Sequence, residues 1–292
     1  MSNKKVLVLG ATGFIGGALF RRLQALSYEV YGVSKTVSKP DVYQIDLRNL
    51  RLVSNLFKEN KFDLIFNCSG RIDQSTGYHK YLELCSDLLV PTLNVVEEIS
   101  QHAPDTRFVH VGTNAEYGTA PVPHGASSRC EPNSAYGSLK LAATEAILAK
   151  ARSEGINAVV ARPFLVFGPG APKSNFIELI IKSIQSGQEF PTTYGEQTRD
   201  FIAVYHVVNQ LIELGLQRDV RGQVFNICSG CEIRIKDMLE AVQNEFPKFK
   251  PQFGVIPYRS TDIMRSVGSR AENVVTPKPM EDLLKHVSNS LK

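Results

Sequence analysis

A tyrosine and a lysine are spaced so that they could move a proton together. Tyr136 and Lys140 lie four residues apart in "SAYGSLKLAATEA", and in a helix this spacing places both side chains on one face. An ammonium beside a phenol stabilises the phenolate and lowers the pKa of the tyrosine. Thr113 ends an apolar segment further upstream, where its hydroxyl can hydrogen bond the oxygen that Tyr136 protonates. The three residues predict proton transfer at a substrate oxygen.

A second group of residues predicts a site for a dinucleotide. In "VLVLGATGFIGGALFRRL", three glycines fall at a strand-to-helix turn. Glycine lets the backbone approach a pyrophosphate, and the helix N-terminus offers it free N–H groups. The sequence "G-K-[ST]" does not follow, which excludes a Walker A loop. The predicted cofactor residues of this turn are Gly10, Thr12, Gly13, Phe14, Ile15 and Gly16.

The end of the second predicted strand indicates which dinucleotide is bound. A site selective for NAD usually has Asp or Glu there for the ribose 2′-hydroxyl, whereas this chain has Ser34 and Lys35. A hydroxyl and a cation suit a 2′-phosphate, so we predict NADP(H) in preference to NAD(H). Asp46 and Leu47 follow the third strand and are candidates for adenine contact. Further candidate cofactor contacts are Cys68, Ser69, Gly70 and Pro163 at later strand ends, and Tyr136 and Lys140 on the later helix.

These residues need a scaffold of alternating strands and helices. Continuously apolar, β-branched segments occur at 5–10, 29–34, 62–70, 107–113 and 156–163, and amphipathic segments at 14–27, 48–59, 78–101 and 134–154. Continuous apolarity is typical of strands buried on both faces of a parallel sheet. The pattern predicts an α/β fold with a doubly wound parallel sheet.

The amino-acid composition of the chain changes after residue 165, where glycine and proline become more frequent. We therefore predict a dinucleotide-binding Rossmann domain at 1–165 and a smaller α/β substrate domain at 166–292. Helices are expected near 175–186, 205–217 and 235–246, and a strand at 223–230. Whether segments near 200–230 return to the first domain is left open.

Five motifs together resemble those of a known family. "GATGFIG", "VGTNAEYG", "YGSLK", "RPFLVFGPG" and "TRDFI" occur in the order seen in the extended short-chain dehydrogenase/reductase family, which includes NDP-sugar epimerases, dehydratases and reductases. The resemblance covers nearly the whole chain. It implies a Rossmann domain, a nucleotide-sugar domain, and a homodimer packed through two helices per subunit.

The resemblance also implies roles for individual residues. Thr113, Tyr136 and Lys140 take the catalytic roles, and Arg199 and Arg259 hold the phosphates of the nucleotide sugar. For the two arginines, surface ion pairs with Asp200 or Asp262 are the alternative. Further candidate substrate contacts are Arg71, Asn114, Lys173 and Asn175. Leu165 departs from the family, whose members often carry Asn after "RPF".

The residues after Thr113 indicate which reaction is expected. In relatives that act as 4,6-dehydratases, the residues at this strand end look like Thr-Asp-Glu, which supply an acid and a base. The side chains of Asn114 and Ala115 cannot transfer a proton. Dehydration is therefore disfavoured. The chain looks most like the reductases of the GDP-4-dehydro-6-deoxy-D-mannose and CDP-paratose/abequose groups, which implies reduction of the C4 keto group of a GDP-, CDP- or dTDP-linked 4-keto-6-deoxyhexose. The alternatives are a 4-epimerase with tightly bound NAD and a catalytically silent NADP(H)-binding regulator.

Composition argues against several other classes of protein. The net charge of +4 is small and its basic residues are dispersed, which argues against a nucleic-acid partner. An apolar run of about 18 residues, as a membrane span needs, does not occur in the sequence. The odd number of cysteines, 5, favours reduced thiols and a cytoplasmic location, and the scattered histidines predict no metal site.

Overall fold

The computed structural model describes residues 4–73, 77–217, 219–259, 261–270 and 277–292. Its strands are β1 (Lys5–Leu9), β2 (Glu29–Ser34), β3 (Val42–Gln44), β4 (Leu64–Asn67), β5 (Arg107–Val111), β6 (Ala158–Pro163), β7 (Leu165–Phe167), β8 (Glu189–Pro191), β9 (Thr198–Arg199), β10 (Phe201–Ala203), β11 (Gln223–Ile227), β12 (Ile233–Arg234), β13 (Lys250–Gln252) and β14 (Arg265–Ser266). Its helices are α1 (Phe14–Ala25), α2 (Leu50–Glu59), α3 (Tyr78–Leu84), α4 (Val90–His102), α5 (Ala135–Ser153), α6 (Phe176–Ser186), α7 (Val204–Leu216), α8 (Ile235–Glu245) and α9 (Pro279–Ser290). A π-helical turn (Cys85–Leu89) divides the predicted helix 78–101, and a 3₁₀ turn (Asn114–Glu116) follows β5.

The largest sheet of the described chain has seven strands in the order β11-β6-β5-β4-β1-β2-β3. The pairings among β1 to β6 are parallel. Strand β1 lies between β2 and β4, so the chain winds outward from β1 in both directions. Such a switch point leaves a crevice at the carboxyl ends of the strands. The predicted doubly wound α/β fold is confirmed.

The central strands are buried because their side chains are apolar on both faces. Every residue of β5 and β6 is buried, as are the last four residues of β1. Val53 of α2, Val95 of α4 and Ile147 of α5 pack into the same core. Because helices cover both faces of the sheet, polar and apolar residues do not alternate along these strands.

Two compact units can be distinguished in the chain. One comprises residues 1–118, 129–162 and 208–225, and the other 119–128, 163–207 and 226–292. The predicted segments 1–165 and 166–292 differ from these units in three places, the smallest being residues 163–165, which group with the second unit. Residues 119–128 group with the second unit, where the His124 N–H donates to the Val267 carbonyl at 2.9 Å. Residues 208–225 group with the first, because they lead into β11 at the edge of the main sheet.

The second unit has its own core and short strands. Strand β7 pairs with β10, β13 pairs with β8, and β9 lies between β12 and β14. The core contains Ile180 of α6, Leu239 of α8 and Leu283 of α9, together with Phe201 and Phe249. Strands of two or three residues show no periodicity, so the sequence did not predict them. Helix α9 was not predicted either.

Candidate active site

The glycine turn between β1 and α1 leaves space for a ligand at the helix N-terminus. A Cβ atom on Gly16 would overlap the carbonyl oxygen of Gly10, so the close approach of helix and turn requires glycine. Gly13 is the N-cap of α1, and no side chain in the described part of the chain caps this helix. Phe14 and Ile15 begin the first turn, whose N–H groups are therefore available to a pyrophosphate.

A cavity lies beside this turn, at the carboxyl ends of β1, β2 and β4. Its lining includes ten of the predicted cofactor residues: Gly10, Thr12, Gly13, Ser34, Lys35, Asp46, Leu47, Cys68, Ser69 and Gly70. It also includes Arg71, predicted as a substrate contact, and five residues that the sequence did not single out: Val33, Ile45, Arg48, Asp87 and Pro91. The glycine cradle and the position at the switch point fit a dinucleotide. The other six predicted cofactor contacts lie outside this lining: Phe14, Ile15, Gly16, Tyr136, Lys140 and Pro163.

Arg48 and Asp46 carry much of the charge in the cavity. The Arg48 guanidinium donates to both Asp46 oxygens, Nε to Oδ1 at 3.0 Å and Nη2 to Oδ2 at 2.5 Å. These bonds hold the pKa of Asp46 below its usual range. Lys35 Nζ lies 4.0 Å from the same carboxylate, and 54% of its side chain is exposed. Lys35 and Arg48 thus both face the Asp46 carboxylate, and Arg48 also approaches Asp87.

The Ser34 hydroxyl is hydrogen bonded to other groups of the protein. Ser34 is buried, and its Oγ lies 3.0 Å from Thr12 Oγ1. The same Oγ accepts hydrogen bonds from the N–H groups of Thr36 at 3.4 Å and Val37 at 3.3 Å. Ser34 therefore shapes the loop, and Lys35 and Arg48 are the better candidates for contact with an anionic group.

Arg71 lines this cavity within a network of ion pairs. Its Nε lies 2.9 Å from Asp87 Oδ2, its Nη1 3.1 Å from Asp73 Oδ2, and its Nη2 3.5 Å from Glu83 Oε2. The guanidinium is thereby held beside Asp87, which also approaches Arg48 at 3.5 Å. This placement groups Arg71 with the predicted cofactor residues, and its contact with substrate stays a prediction.

A capping box holds Thr113 at the end of β5. Its Oγ1 accepts from the Ala115 N–H at 3.2 Å, and Glu116 Oε1 accepts from the Thr113 N–H at 2.9 Å. The fully buried Glu116 also accepts from Thr144 Oγ1 at 2.9 Å and from Arg162 Nε at 2.8 Å. A paired, buried carboxylate thus fixes the backbone of Thr113.

Helix α5 brings Tyr136 against the same 3₁₀ turn. Ser134 caps the helix by accepting from the Gly137 N–H at 3.1 Å. A Cβ atom on Gly137 would lie 2.5 Å from the Ala115 carbonyl oxygen, so glycine permits this close packing. The Tyr136 side chain is hydrogen bonded to that of Thr113. The structure therefore places together the two hydroxyls that the sequence expected at one substrate oxygen.

The pKa of Tyr136 differs from the expectation. Burial raises the pKa of Tyr136 to about 12, although the hydrogen bond from Thr113 acts in the opposite direction. The sequence predicted a lowered pKa through Lys140, and for this structure that prediction is wrong. The physical reason is the desolvation of the phenol, which a sequence pattern does not reveal.

Lys140 is bonded to strand β5. Its Nζ donates to the Val111 carbonyl at 2.7 Å and lies 3.2 Å from His110 Nε2. Burial lowers the pKa of Lys140 to about 8, while Glu116 and Cys68 act in the opposite direction. His110 is a contact that sequence reasoning missed; its signal is a single histidine within the apolar run "FVHV".

In the second unit, two predicted phosphate ligands are connected through Asp262. Arg199 lies on β9, where burial lowers its pKa and Asp262 opposes that shift. Its Nη1 donates to the Thr198 carbonyl at 2.8 Å. The Arg259 N–H donates to Asp262 Oδ2 at 2.8 Å, and the Arg259 residue is exposed. A role for both arginines toward phosphate stays a prediction.

The carboxylate of Asp200, the residue after Arg199, stabilises the fold of the second unit through hydrogen bonds. Asp200 Oδ1 accepts from the Ser229 N–H at 2.8 Å and the Ser229 hydroxyl at 2.7 Å. Its Oδ2 accepts from the N–H groups of Gly230 at 3.0 Å and Gly268 at 3.1 Å. Both Asp200 oxygens therefore accept hydrogen bonds from these donors. Within the described residues, Arg199 and Asp200 do not form the ion pair that was the alternative.

The loop before α6 contains two further predicted substrate contacts, Lys173 and Asn175. Lys173 is exposed. Asn175 is the N-cap of α6: its Oδ1 accepts from the Ile177 N–H at 3.0 Å, and its Nδ2 donates to the Val166 carbonyl at 3.1 Å. The fold thus uses both ends of this amide to cap the helix, and a contact of Asn175 with substrate stays a prediction. Leu165 packs against the core of the second unit.

Among the described residues, no group of three or more His, Cys, Asp or Glu side chains could hold a metal ion. None of the helices within these ranges has the length and apolarity that crossing a membrane requires.

Comparison with known proteins identifies the family. Residues 6–228 match the model of the NAD dependent epimerase/dehydratase family. The chain belongs to this family. The resemblance inferred from the five motifs is thereby confirmed.

Individual relatives in this family differ in reaction. The dTDP-6-deoxy-L-talose 4-dehydrogenase (NAD(P)(+)) of Kitasatospora kifunensis is 29% identical over 258 residues, covering 82% of this chain and 79% of the relative. The dTDP-glucose 4,6-dehydratase of Streptomyces niveus is 28% identical over 265 residues, covering 82% and 76%. The structure of Thermotoga maritima UDP-glucose 4-epimerase superimposes with a TM-score of 0.87 at 18% identity, covering 99% of this chain and 100% of that one. The last likeness concerns the fold alone.

Proposed function

We propose that this protein reduces the C4 keto group of a nucleotide-linked 4-keto-6-deoxyhexose, with GDP, CDP or dTDP as the nucleotide. One observation carries the proposal: the Thr113 and Tyr136 side chains are hydrogen bonded to each other, while Asn114 and Ala115 follow in the 3₁₀ turn. The nicotinamide cofactor supplies the hydride when it is bound. The relative named as a dTDP-6-deoxy-L-talose 4-dehydrogenase supports oxidation–reduction at this carbon.

Tyr136 donates the proton that completes the reduction. Its pKa, raised to about 12 by burial, keeps the hydroxyl protonated at neutral pH, which is the form that a proton donor needs. The Thr113 hydroxyl orients the carbonyl oxygen by a second hydrogen bond. Lys140 lies one helical turn after Tyr136 and would orient the nicotinamide ribose. Arg199 and Arg259 would hold the diphosphate.

Dehydration is disfavoured by the side chains beside Thr113. Elimination of water needs an acid and a base near the sugar, and the amide of Asn114 and the methyl of Ala115 provide neither. Glu116, the next residue, is bonded to Thr113, Thr144 and Arg162. Its carboxylate is therefore held in the interior by the fold.

We also propose that the protein prefers NADPH, because Lys35 and Arg48 add positive charge beside Asp46. The Lys35→Ala variant is expected to raise KM for NADPH about tenfold, which is the lower end of the range for losing one hydrogen bond to a charged group. KM for NADH is expected to change less than about twofold. Lys39→Ala, at an exposed position in the same loop, is the control. Equal changes for both cofactors would contradict this preference.

A substrate panel tests the proposed reaction. The protein is mixed with NADPH and each 4-keto-6-deoxy nucleotide sugar, and nicotinamide absorbance is followed. Stoichiometric oxidation with one substrate supports the reductase. Interconversion of 4-hydroxy sugars with a catalytic amount of NAD would instead establish the epimerase. Tight NADPH binding without turnover of any sugar would establish the silent regulator.

A homodimer packed through two helices per subunit is part of the same proposal. Tyr78, Tyr81 and Leu82 of α3 and Leu93 of α4 are exposed large apolar residues, with 41–73% of each residue accessible. Burial of such side chains in a subunit interface would lower the free energy of association. Light scattering during size-exclusion chromatography is expected to give twice the mass of 32.3 kDa, and a monomer mass would exclude the dimer.

A further inference from the structure

One carboxylate holds two guanidinium groups at the cavity beside the glycine turn. Arg48 Nη1 lies 3.5 Å from Asp87 Oδ1, and Arg71 Nε lies 2.9 Å from Asp87 Oδ2. All three residues line the cavity. Their side chains are partly exposed, 38% for Arg48, 25% for Asp87 and 43% for Arg71. We call these three residues the ion-pair bridge.

The two arginines of the bridge come from opposite sides of the crevice. Arg48 follows β3 and Arg71 follows β4, each four residues after the last residue of its strand. Strands β1 and β2 lie between β3 and β4 in the sheet, so β3 and β4 are about 14 Å apart at a strand spacing of about 4.8 Å. The bridge therefore spans the carboxyl ends of β1 and β2, where the glycine turn begins.

A local break in the helical pattern accompanies the position of Asp87. Pro91 has no N–H, so the Asp87 carbonyl cannot accept the bond that the fourth following residue donates in an α-helix. The chain instead forms the π-helical turn Cys85–Leu89, in which the Val90 N–H donates to the Cys85 carbonyl. Asp87 and Pro91 both line the cavity. Turns of this kind are frequent at functional sites.

The backbone on the Arg48 side of the bridge is held by other bonds. Asn94 Nδ2 of α4 donates to the carbonyl of Leu47 at 2.9 Å and to that of Arg48 at 3.1 Å. These bonds do not involve the Asp87 carboxylate, so the loop after β3 keeps them when the ion pairs break. The ion pairs with Asp87 therefore act on the side chains at the cavity.

We propose that Asp87 is a positioning residue that joins Arg48 and Arg71 across the cofactor crevice, and that this bridge slows the release of a bound dinucleotide. The inference rests on the proposed nicotinamide cofactor and does not depend on which sugar is reduced. Ion pairs between partly exposed side chains are individually weak. The bridge can therefore open for the exchange of cofactor and close again once the cofactor is bound.

Stopped-flow fluorescence of NADPH with the full chain, in the absence of sugar, measures the rate constants of binding and release. In Asp87→Asn we expect the release rate constant to rise about three- to tenfold, the effect of losing one or two ion pairs of this kind. Charge alone predicts the opposite, because removing a carboxylate strengthens the attraction for an anionic cofactor. An unchanged or lower release rate constant would overturn the proposal.

Glu83→Gln is the matched control for this variant. Glu83 Oε2 lies 3.5 Å from Arg71 Nη2, so the control removes the same charge from a partner of the same guanidinium. Glu83 lies outside the lining of the cavity and does not join the two loops. We expect its release rate constant to stay within about twofold of the wild-type value. An equal rise in both variants would show that net charge, and not the bridge, controls release.

Ionic strength tests the bridge in the wild-type protein, whether or not Asp87→Asn folds. Raising NaCl from about 0.05 M to about 0.5 M screens partly exposed ion pairs, so the wild-type release rate constant is expected to rise toward that of Asp87→Asn. A constant or falling value would contradict the bridge alone. A wild-type protein that binds neither NADPH nor NADH would contradict the proposed cofactor, and the bridge with it.

Discussion

Replacement of Tyr136 by phenylalanine is expected to lower kcat by about 10²–10⁴-fold, the usual contribution of a positioned general acid. The ring is retained, so its packing on the 3₁₀ turn is preserved, and only the hydroxyl that is hydrogen bonded to Thr113 is removed. The measurement is the steady-state rate of NADPH oxidation with the best substrate of the panel. KM for that substrate is expected to change little, because the proton is transferred in the chemical step.

Two controls make this result specific. Tyr78→Phe removes a hydroxyl from a residue with 73% exposure and should retain wild-type kcat. The dissociation constant of NADPH, followed by fluorescence, should be unchanged in Tyr136→Phe, because the cavity at β1, β2 and β4 does not include this residue. A Tyr136→Phe variant with more than about a tenth of wild-type kcat would show that another group donates the proton.

The Glu116→Ala variant is expected to lose about 3–5 kcal/mol of unfolding free energy, as when one partner of a buried ion pair is removed. Arg162 would remain in the interior with its charge uncompensated, since 3% of its side chain is exposed. The Thr113 N–H and the Thr144 hydroxyl would lose their acceptor as well. Urea unfolding followed by circular dichroism measures the loss.

Thr144→Val is the matched control for this variant. It removes the hydroxyl that donates to Glu116 Oε2 at 2.9 Å and leaves the ion pair in place, so a loss of about 1–2 kcal/mol is expected. Equal losses in both variants would show that the ion pair with Arg162 adds nothing beyond a hydrogen bond. The comparison therefore separates charge compensation from the capping box at Thr113.

The main sheet was predictable because its strands have a physical signature in the sequence. Strands buried between two layers of helices are continuously apolar, and β1, β2 and β5 begin at the residues expected from that pattern. In the second unit, strands such as β9 have two residues and depend on pairing with distant segments. No local pattern in the sequence encodes that pairing.

The candidate site was predictable where it depends on local spacing. Tyr136 and Lys140 share a helix, and the glycine turn lies within seven residues, so each motif could be read directly. His110 was missed because its contacts with Asn67 and Lys140 join different elements of the fold. Arg48 was overlooked although its partner Asp46 is two residues away. The Asn175 cap had a local signal that was overlooked: an Asn directly before a helical run, with Glu178 in the first turn.

Burial explains the one electrostatic prediction that was wrong. A lysine four residues from a tyrosine suggests a lowered tyrosine pKa, but Lys140 Nζ is bonded to Val111 and His110 of β5. Desolvation then dominates and raises the pKa of Tyr136. Knowing that a helix face is buried against a strand requires the three-dimensional structure.

Deuterium transfer tests the proposed ketoreductase most directly. NADPH carrying deuterium at the transferable C4 position of nicotinamide is incubated with a 4-keto-6-deoxy nucleotide sugar and the full-length protein, and the product is analysed by mass spectrometry and proton NMR. We expect one deuterium at sugar C4 for each NADP⁺ formed. A sugar product that lacks deuterium, or one that accumulates without net oxidation of NADPH, would contradict the account.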